Sequence, residues 1–129
     1  MDEALTWLDA GPVLPPPYAG EPRLVHNDLC PDHILVDEAG DLAGLIDWTD
    51  ATLGDPVLDF IGLFAWRGRA FVEKVLEGYG AAVDEGFHRR LRFSVRVRTL
   101  HWLHTAVREG SDVEKHRRWV ANAFDRCDP

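Results

Sequence analysis

The stretch His26-Asn27-Asp28-Leu29-Cys30-Pro31-Asp32-His33-Ile34-Leu35-Val36-Asp37 decides how this 129-residue chain is read, together with Gly44-Leu45-Ile46-Asp47-Trp48 and Gly54-Asp55-Pro56-Val57-Leu58-Asp59. Ile34, Leu35 and Val36 suit a pleated surface and predict a strand. Asp37-Glu38-Ala39-Gly40-Asp41 has the composition of a hairpin turn, and residues 42 to 48 supply the returning strand, so residues 34 to 48 are expected to form an antiparallel pair. A further short strand is predicted over residues 23 to 26, and a polar loop separates it from the hairpin. Two carboxylates, Asp28 and Asp47, then fall at strand ends. After Gly54, Asp55 is a natural N-cap and Pro56 a natural first helical residue.

Working outward, helices dominate. Residues 2 to 9 place Leu5 and Leu8 on one face with Trp7 beside them, and Gly11 and the prolines at 12, 15, 16 and 17 stop that helix and stiffen the connector after it. The segment opened by Asp55 is apolar almost all round through Val57, Leu58, Phe60, Ile61, Leu63, Phe64 and Trp66, which predicts deep burial. Residues 69 to 79 form a further amphipathic helix ended by Gly80. Residues 84 to 109 read as one long helix with a stripe at Phe93, Val97, Leu100, Leu103 and Val107 and a second at Leu91, Val95 and Trp102. The last helix, from about Ser111 to Cys127, opens with a Ser cap and Glu114 three residues later, a capping-box pattern.

Composition bounds the function. With 46% hydrophobic residues, five Trp and six Phe, one domain over residues 1 to 129 has enough apolar surface for a core. The formal net charge of −8, from 22 acidic against 14 basic residues, argues against nucleic acid, whose phosphates need a basic footprint. It suits a cationic small molecule, and it equally suits plain surface solvation. Cys30 and Cys127 are the only cysteines and lack a tight spacing. With no leading apolar run and no run of about 20 apolar residues, the expected home is a reducing cytoplasm, without a membrane span.

The order His-x-Asp, strand, turn, strand ending Ile-Asp-Trp, then Gly-Asp-Pro-x-x-Asp resembles the core of the aminoglycoside phosphotransferases and their choline-kinase-like relatives, whose fold is similar to that of protein kinases. The resemblance covers residues 23 to 60 closely and the trailing helices only in general outline. It implies an α+β fold, mainly α-helical, corresponding to the carboxy-terminal lobe of a kinase-like protein. It also implies ATP or GTP and magnesium as cofactors, and transfer of phosphate to a hydroxyl of a small, aminoglycoside-like molecule. Such chemistry is positioning plus electrostatics: one carboxylate orients the hydroxyl and takes its proton, and another holds magnesium against the phosphates. By resemblance, Asp28 is the catalytic base and Asp47 the magnesium ligand. His26 supports the catalytic loop, and Asp55 or Asp59 anchors it from the following helix.

Two departures from the family pattern stand out. Where relatives usually carry Asn as a second magnesium ligand, five residues after the catalytic Asp, this chain has His33. Imidazole is a poor donor to magnesium, so His33 either remains a weak ligand, donates to a phosphate oxygen, or packs. The nucleotide-binding lobe that precedes the catalytic loop in such kinases is also expected to be absent: Lys74 and Lys115 are the only lysines, and neither Gly-x-Gly-x-x-Gly nor Gly-x-x-x-x-Gly-Lys occurs. The isolated chain is therefore expected to be inactive, and the alternative is a degenerate binding or structural module. An uncovered lobe interface around Leu24, Val25, Ile34 and Leu45 predicts self-association, as a homodimer or a swapped assembly.

Duller readings stand beside these. Asp28 and Asp47 are each ordinary turn residues when taken singly. His26, Asp28, Cys30 and His33 are zinc-compatible in type, but they form one cluster containing a proline instead of two paired knuckles. His101 and His104 fit a polar helix face better than a metal site. Glu109, Asp112 and Glu114 have the character of a solvated helix terminus.

Overall fold

A computed structural model describes residues 1–125 of the chain. Its elements run α1 (Asp2–Asp9), β1 (Arg23–Val25), β2 (Ile34–Val36), β3 (Leu42–Leu45), β4 (Thr52–Gly54), α2 (Ile61–Gly78), α3 (Phe87–Glu109) and α4 (Val113–Ala123). Single 3-10 turns at Pro31–His33 and Pro56–Asp59 precede β2 and α2. This is an α+β fold in which helices dominate and short antiparallel ribbons sit beside a loop.

β2 and β3 form the hairpin, with Ile34 opposite Leu45 and an irregularity between Leu35 and Val36. The turn closes because Asp37 Oδ1 accepts from the N–H groups of both Ala39 and Asp41, leaving Gly40 to take a φ of 88°. The returning strand stops at Leu45, earlier than its apolar pattern suggests: Asp47 has a φ of 60°, a left-handed conformation that turns the chain out of the ladder. β4 is a strand the sequence pattern did not announce. It pairs with β1, placing Arg23 opposite Gly54 and Leu24 opposite Leu53.

The core lies among α2, α3, α4 and the 3-10 turn before α2, around Phe60, Phe64, Val72, Phe87, Leu91 and Val95. Phe87 is completely buried, and its ring meets Phe60 edge-to-face at 5.3 Å. Burying one such side chain stabilises the fold by roughly 3 kcal/mol. On α3 the buried row is Phe87, Leu91, Val95 and Thr99, spaced by four, with Ala106 further along. Val97 and Val107, from the other expected stripe, are exposed.

Two helix boundaries differ from the sequence reading. Asp55 caps the 3-10 turn through a 3.1 Å bond from the Val57 N–H, and regular α-helix begins only at Ile61. At the other end, Asp112, not Ser111, caps α4 by accepting from the Lys115 N–H at 2.9 Å, and the helix ends at Ala123. Cys127, expected in that helix, lies outside the described residues.

α2 is interrupted at Gly68, whose φ of 74° and ψ of −174° belong to a region only glycine occupies comfortably. The break divides the all-round apolar segment from the amphipathic one, as the two sequence patterns imply. Asn122 of α4 fills the gap in the hydrogen-bond ladder, its Nδ2 donating to the carbonyls of Ala65 at 2.8 Å and Trp66 at 3.2 Å.

Arg90, on the core-facing side of α3, is only 6% exposed. Its guanidinium reaches Asp55 Oδ2 at 2.6 Å and Asp84 Oδ2 at 2.6 Å, which ties the entry of α2 to the start of α3. The paired guanidinium holds the Asp84 carboxyl at about 2. A buried charge is tolerable here because both ends of the guanidinium are satisfied.

No described helix is long and apolar enough to cross a membrane.

Candidate active site

Two histidines fasten the loop that carries Asp28 to the strand end that carries Asp47. His26, 2% exposed, directly follows β1 and packs its ring against Trp48 at 4.7 Å. Its Nε2–H donates to the Ile46 carbonyl at 2.8 Å, while its Nδ1 accepts from the Asp28 N–H at 3.3 Å. A ring used as donor at one nitrogen and acceptor at the other is the neutral Nε2–H tautomer. One imidazole thus fixes the backbone at Asp28 and the residue next to Asp47.

His33 does the same from the other side. It ends the 3-10 turn after Pro31, and its carbonyl accepts from the Ile46 N–H, which extends the hairpin ladder by one bond. Its Nδ1–H donates to the Asp28 carbonyl at 2.8 Å, with Asp28 Oδ2 at 3.5 Å, and its Nε2 lies 3.6 Å from Asp47 Oδ2. The hydrogen bond to the Asp28 carbonyl raises the His33 pKa most, with the Asp28, Asp47 and Asp32 carboxylates adding to it. Asp47 is shifted the other way, chiefly because the Thr49 hydroxyl donates to its Oδ1 at 2.7 Å. The side chains of Asp28 and Asp47 are about half exposed, so both acids meet solvent at one end while a histidine joins them at the other.

The loop is held from beneath as well. Asn27 takes a φ of 65°, its N–H donates to Asp59 Oδ1 at 2.9 Å, and its Nδ2 reaches the Asp50 carbonyl at 3.3 Å. Left-handed residues at both Asn27 and Asp47 store strain of roughly 1 kcal/mol each beside the site. Of the two acids that open the α2 region, Asp59 therefore touches the loop. Asp55 turns away to Arg90.

Gly62 is a residue the sequence reading missed. A Cβ built there would sit 2.1 Å from the Leu29 carbonyl oxygen, so α2 presses directly on the loop and only glycine permits it. Its position one helical turn beyond Asp59 was the available signal, but a lone glycine in an apolar helix does not announce what it touches.

The donor set bears on metals. Asp47 Oδ2 lies 3.6 Å from the His33 imidazole, and a hard carboxylate oxygen fits magnesium. His33 fits less well: its Nε2 is the nitrogen beside Asp47 Oδ2, at 3.6 Å, but imidazole is a poor donor to magnesium. Among the described residues no three His, Cys, Asp or Glu side chains form a metal-holding group, and both His26 nitrogens are used within the fold. Cys30 is half buried with Sγ 3.5 Å from His33 Nδ1, and burial raises its thiol pKa.

Leu24 and Leu53, opposite one another on the β1–β4 ribbon, are 67% and 69% exposed. Leu42 and Val36 of the hairpin are likewise exposed. Val25 is buried and Ile34 and Leu45 are half buried, so the uncovered apolar face differs in membership from the one expected: Val25 points into the core because alternate strand residues face opposite ways.

Comparison with known proteins is consistent with this geometry. The profile of the phosphotransferase enzyme family APH matches residues 1–93. The uncharacterized protein YcbJ of Bacillus subtilis (strain 168) is 38% identical over 76 residues, covering 59% of this chain and 24% of that protein. Among solved structures, the GDP complex of wild-type aminoglycoside 2'-phosphotransferase-IIIa matches 96% of this chain and 44% of its own length, with a TM-score of 0.64 at 23% identity. The GDP and kanamycin complex of APH(2")-IIia matches 81% and 34%, with a TM-score of 0.58 at 27% identity. Macrolide 2'-phosphotransferase MphH from Brachybacterium faecium matches 99% and 43%, with a TM-score of 0.54 at 23% identity. The chain thus spans about a quarter of the curated relative and well under half of these solved chains.

Proposed function

Because the chain belongs to the APH phosphotransferase enzyme family, we propose that residues 26 to 59 supply the acids of a nucleotide-dependent phosphate transfer to a hydroxyl of a small molecule. The observation that carries this reading is the joining of Asp28 and Asp47 through one imidazole, His33. In the proposed reaction the acceptor oxygen forms a bond to the terminal phosphorus of ATP or GTP. The bond from that phosphorus to the bridging oxygen breaks, and the nucleoside diphosphate leaves. Asp28 orients the hydroxyl and takes its proton. Asp47 offers Oδ2 to magnesium, which when bound offsets the negative charge of the phosphates. His33 acts as a positioning residue for Asp28, and His26 and Asp59 hold the loop. We place this chemistry in the cytoplasm, where Cys30 stays a thiol.

The acceptor is a small hydroxyl compound, and the net charge of −8 makes an aminoglycoside-like cation one candidate. The test is a fusion of the chain behind the nucleotide-binding part of a family member, assayed for labelled phosphate transfer from ATP and GTP to kanamycin and to uncharged alcohols. Transfer should appear and fall by about a thousandfold or more with Asp28→Ala and with Asp47→Ala. His33→Asn should lower the magnesium concentration needed. Full turnover by Asp28→Ala would end the assignment of that residue.

A second reading is favoured by the exposed Leu24 and Leu53 pair: a non-catalytic module that self-associates, as a homodimer, through the ribbon face. Sedimentation of the isolated chain decides it, since Leu24→Lys should dissociate the assembly.

A further inference from the structure

Beside the proposed catalytic loop runs a seam between that loop, α2 and α3. Asp28 and Leu29 of the loop, Ile61 and Gly62 of α2, and Arg98 and Trp102 of α3 line it. Its volume is about 10 Å³, room for about one water molecule, so a larger ligand meets only its rim. Both rims carry chemistry: the Asp28 side chain is about half exposed, and Arg98 is exposed with its guanidinium 5.6 Å from the centre of the Trp102 ring. Among the described residues no carboxylate pairs with Arg98. The neighbouring cation, Lys115, differs in that it is already neutralised by Asp32 at 3.1 Å.

The charge of the wall is the opposite of what the whole chain suggests. An acidic protein that received a polyamine beside Asp28 would be expected to set carboxylates there. Of the acids considered for that role, Asp112 is occupied as the cap of α4. Lining the same seam as Asp28 instead is a guanidinium with no acid partner among the described residues, lying over a half-buried indole that meets Trp119 edge-to-face at 5.5 Å. A guanidinium's planar fork matches a carboxylate with two parallel hydrogen bonds, and an indole edge or face accepts a flat ring.

We propose that Arg98 and Trp102 form the acceptor-recognising wall beside Asp28, and that the acceptor is an aromatic hydroxy acid, its carboxylate on Arg98 and its hydroxyl toward Asp28. The inference rests on the phosphotransferase reading for the role of Asp28, but the binding it describes is measurable without turnover. A rigid ring suits it because the acid must be held apart from the Asp28 carboxylate while the hydroxyl approaches it.

The isolated chain is titrated with 4-(hydroxymethyl)benzoate, and with 4-(hydroxymethyl)benzylamine as the matched cation, while tryptophan fluorescence is followed. The benzoate should bind saturably and the amine at least about tenfold more weakly. Arg98→Gln should weaken the benzoate about tenfold, Arg98→Lys should restore part of the affinity, and Trp102→Leu should weaken both probes. Circular dichroism confirms that the variants fold, as an exposed Arg98 allows. Tighter binding of the amine, or an unchanged benzoate affinity in Arg98→Gln, overturns the proposal. Saturable binding of the benzoate, with no phosphate transfer to it from magnesium and ATP by the fused protein carrying Asp28 unchanged, would sink the phosphotransferase reading while leaving this wall as assigned.

Discussion

Gly62→Ala puts a single methyl group where α2 meets the catalytic loop, and its effect can be worked out from geometry. The new Cβ would lie 2.1 Å from the Leu29 carbonyl oxygen, whereas carbon to oxygen contacts begin at about 3.3 Å. Loop and helix must therefore separate by about 1.2 Å. The helix is anchored in the core through Ile61, Leu63 and Phe64, all buried, so the loop is the part that moves. Overpacking of this kind costs about 1–3 kcal/mol, and a displacement near 1 Å at a reacting group costs about a hundredfold in rate. Gly78, at the other end of the same helix, is the control: a Cβ there meets nothing within 4 Å, so Gly78→Ala should stabilise by about 0.5 kcal/mol. Urea unfolding followed by tryptophan fluorescence measures both signs. Imidazole nitrogen NMR reports whether the His33 to Asp28 bond, 2.8 Å in the parent, has lengthened. If Gly62→Ala were as stable as the parent, the close contact would be wrong. A destabilised variant with unchanged His33 resonances would show that the helix yields instead of the loop.

Two further predictions concern the struts around this site. Asp84→Asn should lower stability at pH 7 by about 1 kcal/mol, a figure already reduced because the Asp84 side chain is 43% exposed. Since the folded state holds this carboxyl at about 2, against an ordinary 3.8, its contribution is complete above about pH 4 and is lost as pH falls toward 2. The gap between parent and variant urea midpoints should narrow over that interval, and a constant gap would refute the role given to the Arg90 pair. Asn122→Ala strands the Ala65 and Trp66 carbonyls and should cost about 1–2 kcal/mol, while Gly68→Ala should cost about 1–3 kcal/mol for its backbone conformation. Unchanged denaturation midpoints in both would mean that the break in α2 is not held by α4.

Much of this was legible from residue order alone. The hairpin followed from β-branched residues flanking an Asp-Gly-rich turn, the helices from apolar spacing, and the break in α2 from a change of pattern at Gly68, because each depends on neighbours within a few positions. The fold class and the family resemblance were carried by residues 26 to 59, where order and spacing are specific. Local rules failed where a distant partner decides. Thr52–Gly54 becomes a strand only because β1 lies beside it. Arg90 looks like a surface residue until Asp55 and Asp84 close on it. Val97 and Val107 look like core until the buried row of α3 is seen to run through Leu91, Val95 and Thr99. So it is with the site: the sequence placed Asp28 and Asp47 in one chain segment and named His33 as an anomaly. Only the tertiary structure brought that imidazole between the two acids, pressed Gly62 against the loop and put Arg98 on the same seam as Asp28, since side-chain convergence depends on how separate elements pack and not on the spacing within any one of them.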